Sequence, residues 1–393
     1  MDGICARKEG RNLQRRKLRI AHLLSGREGG GITTVVSSLI EYADPDSLEA
    51  SILLLSPNRK LAKRSEGFKC HVIRKRFPGS PIAVFRIIAY CLQSHIDILH
   101  THSIASNFYG RTAALFMTRT TVVTTVHART YDELQGPFRN RALAWCIHKI
   151  DLWMHRLSAR IIAVSDFLRR ELIANGVPEG KIFAVQHGIH PSTVDVTVEE
   201  VEAVRRNLNV APQKKIVGIV GRLTRVKNHE LFIRACKEVA AKHPELVVLI
   251  VGEGSLRNHL EALAEDLSIS RMTIFTGWVE EIYPILHLLD VLVISSLSEG
   301  FGYILLEGMA CKRAIVATAI SEIPRILKDR KTGLLVPPDD IDALANAIDY
   351  LLRNPRKRNE MGELARKEVT TRFGIEREVE RTLEVYFHAL GIC

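Results

Sequence analysis

Two glutamates eight positions apart, Glu299 and Glu307, flank the stretch of this chain best suited to chemistry, SEGFGYILLEG. Eight helical residues rise roughly 12 Å, beyond the roughly 5 to 9.5 Å that separates the carboxyls of a glycoside-cleaving pair. The spacing therefore suits gripping both ends of one long ligand, a sugar at Glu299 and a ribose at Glu307. Gly300, Phe301 and Gly302 lie between them, after a run of aliphatic strand residues and ahead of a helical pattern. The first N–H groups of a helix lack partners and its macrodipole is positive at that end. Glycine lets an anion approach the backbone, so a diphosphate fits over the amides at Phe301 and Gly302. Taken singly, each glutamate also reads as an ordinary surface or helix-solvating residue.

Other residues suit the same anion. Arg222 and Lys227, five apart in GRLTRVKN, stand at a strand-to-helix junction, where a guanidinium fork and an ammonium point charge can neutralise one diphosphate. A solvated basic face is the plain alternative. Gly29, Gly30 and Gly31 make a turn before Thr33 and Thr34 that is either structural or open to a ligand. Their spacing is not GxGxxG, and no acidic partner for a ribose ends a second strand, which argues against a nicotinamide site. His127 closes the run TVVTTVH, as a packed core residue or as a ligand contact. His100 and His102 in ILHTHS form a metal-capable pair with no third ligand apparent. The literal DxD, Asp44 to Asp46, has Pro45 in a loop and reads as chance.

The elements that must hold these residues alternate. Strands are expected at Leu18 to Ser25, Ser51 to Leu55, Ile96 to His100, Thr121 to Val126, Arg160 to Ser165 and Lys181 to Gln186. A second run follows at Lys215 to Gly221, Val247 to Val251, Met272 to Phe275, Val291 to Ile294, Ala314 to Ala317 and Leu334 to Val336. Helical patterns separate most of them, and in the one after Gly302 the packing face is Ile304, Leu305, Gly308 and Met309. Repeated βα units imply parallel sheets with ligands at the strands' C-terminal ends. The polar stretch from Pro191 marks a boundary between an N-terminal domain, 18–190, and a C-terminal domain, 191–372. Residues 1–17 read as a basic flexible tail. The helical region from Gly136 to Leu157 carries Trp145, Ile150, Trp153 and Leu157 on one stripe amid basic residues. Either that stripe faces the core, or it forms an interfacial surface attractive to anionic lipid headgroups.

With 393 residues, 46% apolar and 25% charged, the chain has the composition of a globular protein of two domains. A formal charge of +11 favours anionic partners such as nucleotide sugars or phospholipid surfaces. Nucleic acid is not expected, since no helix-turn-helix, zinc-finger spacing or RNP-like pattern is present. The seven cysteines are scattered without a CxxC pair, so neither a disulfide framework nor a structural zinc site is indicated. No run reaches the roughly 18 apolar residues of a spanning helix, and no signal peptide is evident. A cytoplasmic protein, with peripheral contact at the inner face of the membrane left open, is the expectation.

EGFGYILLE resembles the E-x7-E motif of retaining glycosyltransferases of the GT-B fold, particularly glycosyltransferase family 4. The resemblance continues through GMACKRAIVAT and TGLLVPPDD and backwards to GRLTRVKN, VGEG and FTGWV, in the family's order. It implies an α/β fold of two facing Rossmann-like domains with an interdomain cleft, and a last helix, within 373–393, crossing back onto the first domain. By the same resemblance the activity is metal-independent, cofactor-free transfer of a sugar from a nucleotide diphosphate sugar to a hydroxyl of a glycan or lipid-linked acceptor, with retention. Arg222 and Lys227 then hold the diphosphate, the backbone at Trp278 and Val279 meets the base, and the glycine loop lies near diphosphate and acceptor. Trp278 in the core is the competing placement. Glu299 and His127 are the catalytic candidates, His127 by positioning sugar or acceptor. Ala128 stands where the family has Asp, and Ser321, Glu322 and Arg325 depart from its donor-loop pattern. A nucleotide-sugar epimerase on the same fold and a non-catalytic GT-B binding subunit are the rival readings.

Overall fold

The computed structural model describes residues 17–26, 30–57, 68–73, 77, 79–130, 132 and 141–392. The basic tail through residue 16, Gly29 of the glycine turn and residues 136–140 of the expected tryptophan-bearing helix lie outside these. The chain divides into two compact units: everything described up to His187 together with Ile375 onward, and Gly188–Gly374.

In the first unit the order is β1 (Leu18–Leu24), α1 (Gly31–Glu41), β2 (Leu48–Leu54), β3 (Lys69–Val72), α2 (Pro81–Gln93), β4 (Ile98–Thr101), α3 (Ile104–Ala114), β5 (Thr121–Val126), α4 (Arg141–Met154), β6 (Arg160–Ala163), α5 (Asp166–Ala174) and β7 (Ile182–Ala184). The second unit contains α6 (Val198–Asn207), β8 (Lys215–Val220), α7 (His229–Ala240), β9 (Leu246–Val251), α8 (Arg257–Asp266), β10 (Thr273–Gly277), α9 (Tyr283–Leu288), β11 (Val291–Ile294), α10 (Tyr303–Ala310), β12 (Ala314–Thr318), α11 (Ile323–Ile326), β13 (Leu334–Val336), α12 (Ile341–Arg353) and α13 (Pro355–Arg372). The final helix, α14 (Ile375–Leu390), belongs to the first unit and packs on β5, β6 and α1.

Both sheets are parallel in every pairing and ordered as doubly wound sheets are: β3-β2-β1-β4-β5-β6-β7 and β10-β9-β8-β11-β12-β13. Their strands are nearly continuous aliphatic runs because helices cover both faces. In the second unit Val217, Ile219, Val248, Ile250, Val291 and Val293 fill the interior with Phe232 and Leu260 from the flanking helices. In the first unit, one face of the sheet packs on α2 and α3 through Ala21, Leu23, Ile87 and Tyr109. The other takes Val385 and Tyr386 of α14 against Ile20, Val123 and Ile162. The short, polar, exposed edge strand β3 is absent from the sequence-based expectation, since four residues beginning with lysine carry no apolar periodicity.

A fully buried arginine joins α3 to α4. The Arg111 guanidinium donates to Asp151 Oδ1 at 2.6 Å and meets His155 Nδ1 at 2.7 Å. Burial alone would raise the Asp151 carboxyl; the Arg111 charge, with hydrogen bonds from Thr130 and Arg111, outweighs it and holds the group below the usual carboxylate range. Removing one partner from such a pair strands a buried charge, at a cost of about 3 to 5 kcal/mol. Arg111→Met is therefore expected to lower unfolding stability by about that amount, and Arg111→Met with Asp151→Leu by clearly less. Denaturant titration of the four corners of this cycle is the check, and equal losses in single and double variants would contradict the pairing.

Candidate functional site

In the second unit β8 and β11 are direct neighbours, with Val291 opposite Val217 and Val293 opposite Ile219. Their C-terminal ends therefore emerge side by side, although the loops that follow are far apart in sequence. Beyond β8 the chain makes a tight turn, Arg225–Lys227, and Asn228 takes a left-handed conformation (φ 49°) from which its side chain caps α7 by accepting from the Leu231 amide. Beyond β11, Ser295 Oγ donates to the carbonyls of Lys227 and Asn228 at 3.1 and 2.9 Å, and the Leu297 amide donates to Val226 O at 2.8 Å. The two loops are thus stitched together. Across that seam the Lys227 ammonium donates to Glu299 Oε1 at 2.5 Å, and Ser296 Oγ donates to the same oxygen at 2.6 Å.

Glu299 is 8% exposed, and a carboxylate so placed requires a charge or several donors. It has both kinds of partner. Its own amide donates to Ser321 Oγ at 3.2 Å, and Ser321 is itself left-handed (φ 50°). One of the departures from the family pattern, Ser321, is therefore a support for the Glu299 loop. Glu322 beside it is fully buried.

The glycines carry the chain from Glu299 into α10. Gly302 sits at φ 85°, left-handed, as the cap residue of the helix, a conformation that strains any side chain. Phe301 is buried with its ring edge-on to Phe373 at 6.0 Å. At Gly308 an added Cβ would lie 2.4 Å from Leu292 Cδ2, so this glycine sets how closely α10 rests on β11. The helix buries Leu305, Leu306, Gly308, Met309 and Ala310, while Ile304 is half-buried; the packing face is turned by one residue from the expected one. Glu307 is half-buried on α10.

The remaining donor-site candidates are more dispersed. Arg222 follows β8 directly and is exposed, with no carboxylate partner among the described residues. Trp278 and Val279 follow β10, which β9 separates from β8; Trp278 is 38% exposed and not a core residue. Direct contact is thus made by Lys227 and Glu299, with Gly300 to Gly302 next to them in the chain.

His127 lies in the first unit, at the end of β5, within a set of imidazoles that sequence reasoning did not assemble. His22 Nδ1 is 2.9 Å from His102 Nε2, and His102 Nδ1 is 3.3 Å from His127 Nε2. His127 stacks on His187 at 5.4 Å, and His187 Nδ1 meets Glu378 Oε1 of α14 at 2.8 Å. His100 is held between Tyr386 Oη at 2.7 Å and Thr125 Oγ1 at 2.6 Å. Burial pushes His22 down to about 3 and holds His100, His102 and His127 well below the usual imidazole range, each aggravated or accompanied by neighbouring rings. These rings are neutral hydrogen-bonding groups at pH 7.

The expectation that His100 and His102 lack a third potential ligand is corrected by His22. It pairs in register with His100 on the adjacent strand β1, and the three rings offer nitrogens within 4.8 Å of one another. Those nitrogens are largely engaged with one another, Tyr386 and Thr125, so a cation would have to break existing bonds. The signal for His22 was available: one polar residue in the otherwise apolar run LRIAHLL. Of the glycine turn, Gly30 (φ 64°) precedes α1 and its carbonyl accepts from the Thr33 and Thr34 hydroxyls, at 2.8 and 3.2 Å; Gly31 opens the helix. Asp44, of the DxD, accepts from the Asp46 amide at 3.0 Å within a turn.

The comparisons with known proteins cover both units. Residues 29–193 match the model of "Glycosyltransferase Family 4", and residues 200–368 that of "Glycosyl transferases group 1". An uncharacterized glycosyltransferase of Methanocaldococcus jannaschii is 28% identical over 74% of this chain and 75% of its own. The UDP-Gal:alpha-D-GlcNAc-diphosphoundecaprenol alpha-1,3-galactosyltransferase of Escherichia coli is 25% identical over 74% of this chain and 75% of its own. The crystal structure of Anabaena HepE in complex with UDP and glucose superposes with a TM-score of 0.80 at 18% identity, over 93% of this chain and 98% of that one. The fold is that of two Rossmann-like units, and the chain belongs to the GT-B glycosyltransferases, with a family 4 N-terminal half and a group 1 C-terminal half.

Proposed function

We propose that this glycosyltransferase moves a hexose from a nucleoside diphosphate sugar to a hydroxyl of a glycan or lipid-linked acceptor, with retention of configuration and without a metal ion. The observation that carries the reading is the Lys227–Glu299 pair at the C-terminal ends of β8 and β11, beside the glycine-capped start of α10. As the sugar–phosphate bond breaks, charge grows on the departing diphosphate. Lys227, Arg222 and the α10 N-terminus at Phe301 and Gly302 supply fixed positive potential for it, the role a divalent cation has elsewhere. When the diphosphate draws on Lys227, the Glu299 carboxylate is released to hold a sugar hydroxyl and face the oxocarbenium-like carbon. Glu307 holds the ribose, and Trp278 with Val279 the base. The leaving phosphate oxygen takes the acceptor's proton. His127, a neutral imidazole, positions a sugar or acceptor hydroxyl, with the glycine turn at Gly30 and Gly31 in the same unit. The E. coli relative, whose name specifies UDP-galactose and a diphosphoundecaprenol-linked sugar, and the neighbour solved with UDP and glucose make UDP-hexoses the donors to test first.

Lys227→Ala or Arg222→Ala is expected to weaken nucleoside diphosphate binding by about 1.5 to 3 kcal/mol, the range for charge-assisted hydrogen bonds. Titration calorimetry with UDP and GDP reads this, and unchanged affinity in folded variants would remove the phosphate role. Glu299→Gln acts differently: turnover with the preferred donor falls by about a hundredfold or more, while nucleotide affinity holds, because Lys227 loses its competitor. A Glu299→Gln enzyme turning over at the wild-type rate contradicts the assignment.

The histidines give a pH dependence. Their folded values lie below the unfolded imidazole value of about 6.5, so below that pH the unfolded chain binds more protons. The first unit's stability is complete above about pH 6.5 and declines as pH falls, by up to about 1.4 kcal/mol per pH unit for each histidine. Melting temperature followed from pH 7.5 to 5 should drop, and less steeply in His22→Asn. A flat profile would show that these rings are not buried neutral.

A further inference from the structure

The helix α4 buries Ala144 and Met154 but leaves its largest apolar side chains outside. A surface helix of a globular protein turns its apolar stripe to the core, yet here Asp151 faces inward to the buried Arg111, while Trp145, Ile150 and Trp153 are 54%, 54% and 59% exposed. Of the two placements expected for this stripe, the core-facing one is excluded for Trp145, Ile150 and Trp153, while Leu157 is half-buried. Its neighbours on the same side of the sheet behave alike. Phe85 on α2 is 71% exposed, and Phe108, Leu115 and Phe116 on or just after α3 are exposed as well. The helices α2 and α3 pack on each other, and α3 on α4.

The exposed charges of α2, α3 and α4 have one sign, and among the described residues the carboxylate next to them is Asp132, half-buried before α4 and near His148. Asp151 is the sole carboxylate of α2, α3 and α4, and it is buried against Arg111. Exposed Lys149 follows Trp145 along α4, its ammonium 5.6 Å from the Trp145 ring centroid, exposed Arg156 lies in the turn just after α4, and exposed Arg119 follows Phe116. Tryptophan beside lysine and arginine on one helix face is the arrangement that lies in a lipid headgroup region, rings at the acyl boundary and cations on phosphates. A second copy fits less well, because self-pairing of this face brings like charges together with no exposed carboxylate on the three helices to balance them. Among the described residues no helix is long and apolar enough to cross a membrane, so the contact is with one surface.

We infer that the face formed by α2, α3 and α4 docks this protein on an anionic phospholipid bilayer, with Trp145 and Trp153 entering the interface and Lys149, Arg156 and Arg119 pairing with headgroup phosphates. The docking is independent of sugar transfer. The full chain is mixed with vesicles of phosphatidylcholine alone, or of phosphatidylcholine and phosphatidylglycerol in equal parts, and the sedimenting fraction is measured. Binding is expected to the anionic vesicles, weakening with salt. Trp145→Ser with Trp153→Ser should reduce the partition coefficient by roughly tenfold or more, and Lys149→Gln or Arg156→Gln by about fivefold each. All these side chains are exposed, so the variants retain the wild-type circular dichroism. In a Trp278→Phe background the remaining tryptophans, at 145 and 153, report directly, and their emission shifts to the blue on adding anionic vesicles. Lys227→Ala, defective in nucleotide binding, should bind vesicles as wild type does, which separates this inference from the proposed reaction. Equal partition of wild type and the double tryptophan variant, or no binding to anionic vesicles, overturns it. So does a concentration-dependent blue shift without vesicles, which would make a second copy the occupant.

Discussion

A carboxylate placed at the end of a buried strand needs a counter-charge, and in the second unit Lys227 supplies it to Glu299 across a seam between two loops. The interaction is possible only because β8 and β11 are adjacent in a parallel sheet, so that loops 72 positions apart leave the same edge. Ser295 then fixes the backbone of one loop to the other, and Ser296 and Ser321 hold the carboxylate and its amide. Much of this geometry would be lost with the register. In the proposed reaction a ligand diphosphate would exchange one anionic partner of Lys227, the Glu299 carboxylate, for another. The ion pair aligns the lysine beforehand, and the same proposal has the carboxylate become available only after the exchange.

The first unit solves a different problem. Its strands end in polar side chains, and burying them demands partners inside the sheet's own edge. His22, His102 and His127 satisfy one another in sequence, His100 is satisfied by Tyr386 and Thr125, and α14 closes the set by bringing Glu378 to His187. The last helix is thus tied to this unit by hydrogen bonds as well as by Val385 and Tyr386 in the core. Imidazole suits the position because a neutral ring both donates and accepts, which a carboxylate or ammonium cannot do without carrying charge into the interior.

The alternation of strands and helices was legible in the sequence because parallel strands covered on both faces are written as unbroken aliphatic runs. Thr121–Val126, Val291–Ile294 and Leu334–Val336 have the expected bounds. β3 was not legible, being short, polar and at an edge. At the site, the residue types in GRLTRVKN and EGFGYILLE pointed to an anion and a sugar, but nothing in their spacing could show Lys227 against Glu299, since that pairing depends on strand order. The same holds for His22 beside His100. The serine at 321 read as a departure from a pattern, and its use as a hydrogen-bond partner of the Glu299 amide appears only when the loop's left-handed turn is seen.

Strand order also explains the exposed aromatics. Arg111 on α3 is fully buried, so whatever packs over it must present a carboxylate inward, and α4 does so with Asp151. A helix has one inward face. Once Asp151 and the adjoining His155 occupy it, residues half a turn away are directed to solvent, and those residues are Trp145, Ile150 and Trp153. Fully burying a large apolar side chain is worth about 1.5 to 3 kcal/mol, so leaving these three in water forgoes several kcal/mol that a conventional amphipathic helix would have recovered within the unit. Polar replacements at the three positions would cost the fold little. Their aromatic and aliphatic character, set among cations and away from any exposed carboxylate on these helices, is accounted for by what lies outside the chain.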